Sequence, residues 1–127
     1  MNFGVPREIR EQEKSVGITP SGAHALIRHG HKVFIEANAG VGAGFSDEDY
    51  LKEGAQVVYS PEEAWGRADV VLKIAAPQAA EYERLVEGQV LMAYLTLVVA
   101  PQGLIRALLD KRITAISMEN IEDDDGA

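Results

Sequence analysis

Lys73 and Thr96 are the two residues of this 127-residue chain placed where a small ligand could be held. Lys73 ends the apolar run Val70-Val71-Leu72 and precedes Ile74-Ala75-Ala76-Pro77, so it falls near the carboxyl end of a buried strand. Open parallel sheets collect ligands at those ends, and a lysine there orients a carboxylate or phosphate as a compact point charge. The competing reading is a strand-end lysine that reaches solvent. Thr96 follows the run Val90–Leu95 and holds the corresponding end of the next strand, where adjacent strand ends could share one crevice with Lys73. A hydroxyl can hydrogen-bond a ligand but is a poor general acid or base at neutral pH. Packing, or a turn into a helix, is its plainer role.

Three other patterns invite a chemical reading and lose it. Gly40-Val41-Gly42-Ala43-Gly44-Phe45 follows a strand and precedes a helix, as a dinucleotide-binding turn would, yet Phe45 stands where the third glycine belongs. The next helix opens with Asp47, Glu48 and Asp49, three carboxylates where a pyrophosphate needs an unopposed positive helix end. A flexible surface loop is expected there instead. His24, His29 and His31 are close in sequence, but a five-residue step sets His24 and His29 about 140° apart around a helix. They do not converge on a metal as an i, i+4 pair would. Arg7, Glu8, Arg10, Glu11, Glu13 and Lys14 alternate in sign and read as a solvated loop with weak surface ion pairs.

The elements that must position these residues alternate along the chain. Phe3–Val5 is a short strand, and Arg7–Lys14 a loop. Thr19-Pro20 is an N-cap followed by proline at the first helical position, with Ala23, Leu26 and Ile27 on one face and Gly30 closing the helix. Lys32–Ala37 is a strand, and Ser46 caps a short helix through Glu53 whose acidic first turn suits the helix dipole. Gln56–Tyr59 is a strand, and Ser60-Pro61 repeats the cap-then-proline signal. Val70–Ile74 is a buried strand, Glu81–Leu85 a short helix, Gln89–Leu95 a strand, Pro101–Lys111 a helix and Thr114–Met118 a last strand. Five or six strands separated by helices make a βαβ series. The expected fold is one α/β domain, an open, mostly parallel Rossmann-like sheet with helices on both faces.

Composition bounds what such a domain can do. The chain carries 12 basic and 20 acidic residues, a net charge of −8. That balance argues against nucleic acid and against an anionic membrane surface. Glu119, Glu122, Asp123, Asp124 and Asp125 concentrate much of the charge at one end, which divides the chain into a domain over 1–118 and an acidic end over 119–127. The absence of cysteine excludes disulfides, thiolate metal sites and a cysteine nucleophile. The start MNFGVPREIR is unlike a signal peptide, and the runs Val90–Leu95 and Leu97–Pro101 are too short to span a bilayer. A cytoplasmic protein without direct membrane insertion is expected.

Taken together, GVPREIREQEKSVGITPSGAHALIRHGHKVFIEANAGVGAGFSDEDYLKEGAQVV resembles the opening of alanine dehydrogenases and of the NAD(P) transhydrogenase α subunit. The likeness continues through ADVVLKIAAP, AAEYERL and GQVLMAYLTL and covers essentially the whole chain. It implies an N-terminal, substrate-side domain with a Rossmann-like fold but no dinucleotide fingerprint, NAD being bound by a second domain later in the family's chain. No G-x-G-x-x-G occurs in these residues. The expectation is therefore that this chain binds no cofactor, and that NAD(P) enters only through a missing or partner domain.

The resemblance also marks departures. Alanine dehydrogenases carry an arginine where Ser15 stands in EKSVGITP, a pyruvate-contacting lysine where Ala75 stands, and a catalytic histidine where Thr96 stands. Lys73 is kept. The transhydrogenase branch also lacks that lysine and histidine but retains the arginine. Loss of the arginine removes a bidentate carboxylate clamp, and loss of the histidine removes an acid/base group. No residue of the chain is thereby expected to be catalytic, and Lys73 and Thr96 remain the candidate substrate-binding residues. The implied function is a stand-alone or truncated N-terminal domain, not catalytic alone, which pairs with itself as a homo-oligomer or with a separate nucleotide-binding chain. The alternative is a subunit of a split NAD(P)-dependent oxidoreductase completed by that second chain.

Overall fold

Three of the helices begin where a side chain replaces a missing backbone partner. In the computed structural model, which describes residues 1–96 and 100–120, Thr19 caps α1 (Pro20–Arg28) by accepting from the Gly22 N–H at 3.1 Å. Ser46 caps α2 (Asp47–Lys52) in a reciprocal box. Its hydroxyl accepts from the Asp49 N–H, and the Asp49 carboxylate accepts from the Ser46 N–H. Ser60 caps α3 (Pro61–Gly66) through the Glu63 N–H. Helix α4 covers Gln102–Asp110.

Between them run β1 (Asn2–Val5), β2 (Lys32–Glu36), β3 (Gln56–Val58), β4 (Val70–Ala75), β5 (Val90–Tyr94) and β6 (Thr114–Ser117). All pairings are parallel, in the order β3-β2-β1-β4-β5-β6. This is the doubly wound arrangement, and its order reverses between β1 and β4. The short helix expected at Glu81–Leu85 is a 3-10 segment over Ala79–Arg84, which ends where Leu85 turns extended. The acidic end beyond Asn120, and most of the apolar run Leu97–Pro101, lie outside the described residues.

Strand alternation sends β4 and β5 side chains to opposite faces. Val71, Leu91 and Ala93 pack with Trp65, Leu85, Leu104 and Leu108 on one face. Val5, Val33 and Ile35 pack with Ala23, Tyr50 and Ala55 on the other. The Tyr50 ring is fully buried and its hydroxyl donates to the Ile18 carbonyl at 2.7 Å. Burial, with Asp49 and Asp47 nearby, pushes that phenol up to about 12. Helices α1 and α2 cover β1–β3 on the second face, Ala23 and Tyr50 packing on Val5, Val33, Ile35 and Val57. The same face of β5 and β6 is less covered, with Tyr94 46% and Ile116 37% exposed.

Candidate functional site

The reversal of strand order makes the carboxyl ends of β1 and β4 the natural place for a ligand, and both candidate chemistry and an unexpected carboxylate meet there. Lys73 lies on β4 as expected, but its amine does not reach solvent. It is 2% exposed and sits 2.9 Å from Glu8 Oε1 and 3.3 Å from Glu81 Oε2. Glu8 follows β1 by three residues and Glu81 belongs to the 3-10 segment after β4.

Glu8 corrects the sequence reading most sharply. It was expected on a solvated loop, and it is buried, while Arg10 and Glu13 in the same segment do form a surface pair at 2.8 Å. Its carboxylate also accepts two backbone N–H groups, from Ile74 to Oε2 at 3.0 Å and from Ala75 to Oε1 at 3.2 Å. Successive amides of a regular strand point to opposite sides, so their convergence needs an irregularity. The β4–β5 register supplies one, because Leu72 pairs with Met92 and Ala75 with Tyr94, leaving one extra residue on β4. A bulge of this kind turns the strand and re-aims its amides.

Glu81 completes the enclosure. Its Oε1 accepts the Gln78 N–H at 2.9 Å. Burial raises its carboxyl above the ordinary carboxylate value, against the pull of Lys73 and the Gln78 N–H, with Glu8 pushing the same way as burial.

The positions that the resemblance singled out lie at the same edge of the sheet. Gly17 brings the Ser15 segment against β4, since a Cβ at Gly17 would stand 2.2 Å from the Leu72 carbonyl oxygen. We expect Gly17→Ala to lower stability by about 1–3 kcal/mol, measured by urea denaturation; an unchanged midpoint would contradict the backbone contact. Ser15 itself is exposed, its N–H donating to Glu13 Oε2 at 3.3 Å. The methyl group of Ala75 is buried. Thr96 is exposed, takes a left-handed φ of 50°, and donates its N–H to the Glu119 carboxylate at the end of β6. Ala75 pairs with Tyr94, two residues before Thr96, so the two positions occupy neighbouring strand ends. No hydrogen bond or ion pair joins Thr96 to Lys73 among the described residues. The ammonium is spent on Glu8 and Glu81.

The glycine-rich turn is a fitted element rather than a phosphate cradle. Val41–Ala43 forms a 3-10 turn, and a Cβ at Gly42 would stand 2.9 Å from the Lys14 carbonyl oxygen. The amides of Ser46 and Asp49 at the following helix start are committed to the capping box, and Asp47 accepts the Asn38 N–H at 2.8 Å. These groups do not fit a dinucleotide pyrophosphate. The histidines are dispersed, His24 facing Glu53 at 3.0 Å and His31 facing the N-terminal amine at 3.1 Å. Among the described residues, no group of three or more His, Asp or Glu side chains is gathered for a metal, and no helix is long and apolar enough to cross a membrane.

Comparison with known proteins finds the family described as alanine dehydrogenase/PNT, N-terminal domain, matched over residues 4–127. The chain is 43% identical over 122 residues to an alanine dehydrogenase of Methanococcus maripaludis, covering 96% of this chain and 32% of that protein. It is 42% identical to an alanine dehydrogenase of Mycobacterium tuberculosis, covering all of this chain and 34% of that one. A solved L-alanine dehydrogenase superposes with a TM-score of 0.93 at 44% identity, over 100% of this chain and 35% of that one. A transhydrogenase from Sinorhizobium meliloti gives 0.88 at 27% identity, over 96% and 34% respectively. The chain thus spans about a third of the length of the curated relatives it matches.

Proposed function

Because the chain belongs to the alanine dehydrogenase/PNT N-terminal domain family, we propose that it supplies the substrate-side domain of that architecture without performing hydride transfer by itself. The observation that carries this is the chemistry left at the carboxyl ends of β4 and β5. Ser15, Ala75 and Thr96 offer neither a carboxylate clamp nor a proton carrier, and Lys73 is enclosed between two carboxylates. Hydride transfer needs a nicotinamide aligned with its substrate, and the capped, acidic start of α2 gives a dinucleotide no seat. NAD(P) would come through another domain or chain.

Isothermal titration with NAD(H), NADP(H), alanine and pyruvate is expected to give no dissociation constant tighter than about 1 mM. Micromolar binding of any of the four would overturn this reading.

A second reading draws on the exposed Tyr94 and Ile116. Apolar side chains on a partly exposed sheet face favour association, either with another copy or with a nucleotide-binding chain that completes a split NAD(P)-dependent oxidoreductase of transhydrogenase or amino-acid dehydrogenase type. Mixing the two chains would then yield NAD-dependent turnover, and its absence would leave only self-association, read by sedimentation.

A further inference from the structure

We propose that the end of β4 is a preformed carboxylate-binding cradle, which the chain fills with its own Glu8. Three donors converge on one planar anion. Lys73 Nζ and the Ala75 N–H meet one oxygen at 2.9 and 3.2 Å, and the Ile74 N–H meets the other at 3.0 Å. Two successive backbone amides turned the same way form a concavity for an anion. Here the bulge between Leu72 and Ala75 creates it. The ammonium beside it adds a third, charge-assisted hydrogen bond and balances the charge of the anion. The location agrees with the general rule for open α/β sheets, since it lies where strand order reverses between β1 and β4.

The carboxylate in the cradle is not part of the element that builds it. Glu8 arrives from the segment after β1, 65 residues from Lys73 in sequence. It acts as a tethered ligand, and it holds the Arg7–Lys14 segment down on the sheet. Lys73 keeps Glu81 as a second partner when Glu8 is gone, so the cradle retains its cation while losing its anion. A free carboxylate reaches the site only by taking the place of Glu8. The matching ligand class is a small aliphatic monocarboxylate. Glu8→Ala removes a methylene and a carboxylate, which is the outline of acetate.

The test is thermal unfolding of wild type, Glu8→Ala and Glu8→Gln in sodium acetate, chloride and sulfate at equal ionic strength and neutral pH. Glu8→Ala is expected to unfold at lower temperature than wild type in chloride and to gain about 5–10 °C at ~100 mM acetate. Wild type, with its cradle filled, and Glu8→Gln, with the space occupied by an uncharged side chain, should show no acetate-specific gain. The same melting temperature for Glu8→Ala in all three salts, or a gain in sulfate equal to that in acetate, overturns the proposal. If Glu8→Ala is unfolded in chloride, refolding from denaturant gives the readout. Recovery of the native far-UV spectrum in acetate alone supports the cradle, and failure in every salt refutes it.

Discussion

Lys73→Met is expected to destabilise the domain by about 3–5 kcal/mol at pH 7, the usual consequence of stranding buried charge. Methionine matches the length of the lysine stem, so the loss is electrostatic rather than a cavity. Glu8 and Glu81 would face each other without the ammonium that separates them. The pH dependence distinguishes this cause from poor packing. Glu81 already titrates above the ordinary carboxylate value through burial, and Lys73 is the charge that holds it down. Without Lys73 it rises further. A carboxyl raised in the folded state contributes stability below its unfolded value, near 4.5, and loses it as pH climbs through the folded value. The deficit of Lys73→Met should therefore be largest at neutral pH and shrink toward pH 5. Urea denaturation at the two pH values measures it, and a deficit independent of pH would assign the effect to packing.

Trp65→Ala should cost a comparable ~3–5 kcal/mol. The indole is 1% exposed and lies among Ala68, Val71, Leu85, Leu91 and Leu104, so it ties α3 to the β4–β5 half of the sheet. Its removal leaves a cavity whose walls belong to three different elements and cannot collapse together. Trp65→Phe is expected to cost much less. It keeps most of the ring and deletes an indole N–H that has no hydrogen-bond acceptor among the described residues, and a buried donor without a partner is itself unfavourable. Trp65 is the single tryptophan, so far-UV circular dichroism rather than fluorescence must follow the unfolding. A Phe variant as unstable as the Ala variant would show that shape, not the polar atom, governs the site.

What could be read from the sequence was what is decided locally. Thr19-Pro20, Ser46 and Ser60-Pro61 each mark a helix start because the capping oxygen and the amide it serves are three residues apart. Apolar runs marked the strands, and alternation of strand with helix implied parallel pairing. The candidate site was legible only in part. Lys73 was placed correctly at a central strand end, but its partners were not foreseen. In the sequence, Glu8 stands in a run of alternating charges indistinguishable from a surface loop, and its hydrogen bonds span 65 to 67 residues. Glu81 was visible only as a helix residue. The bulge left no trace either, because Val70–Ala75 is apolar on both sides of Lys73 and nothing in such a run marks an extra residue. Long-range adjacency, set by strand order, was the missing information.

The placement of β1 in the middle of the sheet, paired with β2 on one side and β4 on the other, has a consequence for the order in which the domain is made. On a ribosome, β1 can find β2 early, but β4 emerges some 65 residues after Glu8, roughly 3–13 s later at ordinary elongation rates. Throughout that interval the nascent half-sheet presents an open edge, the kind of surface that recruits other chains. Glu8 then stands hydrated beside that edge, and a charge there discourages misplaced strands. When Lys73 arrives, it brings the cation that lets the same carboxylate leave water and close the sheet.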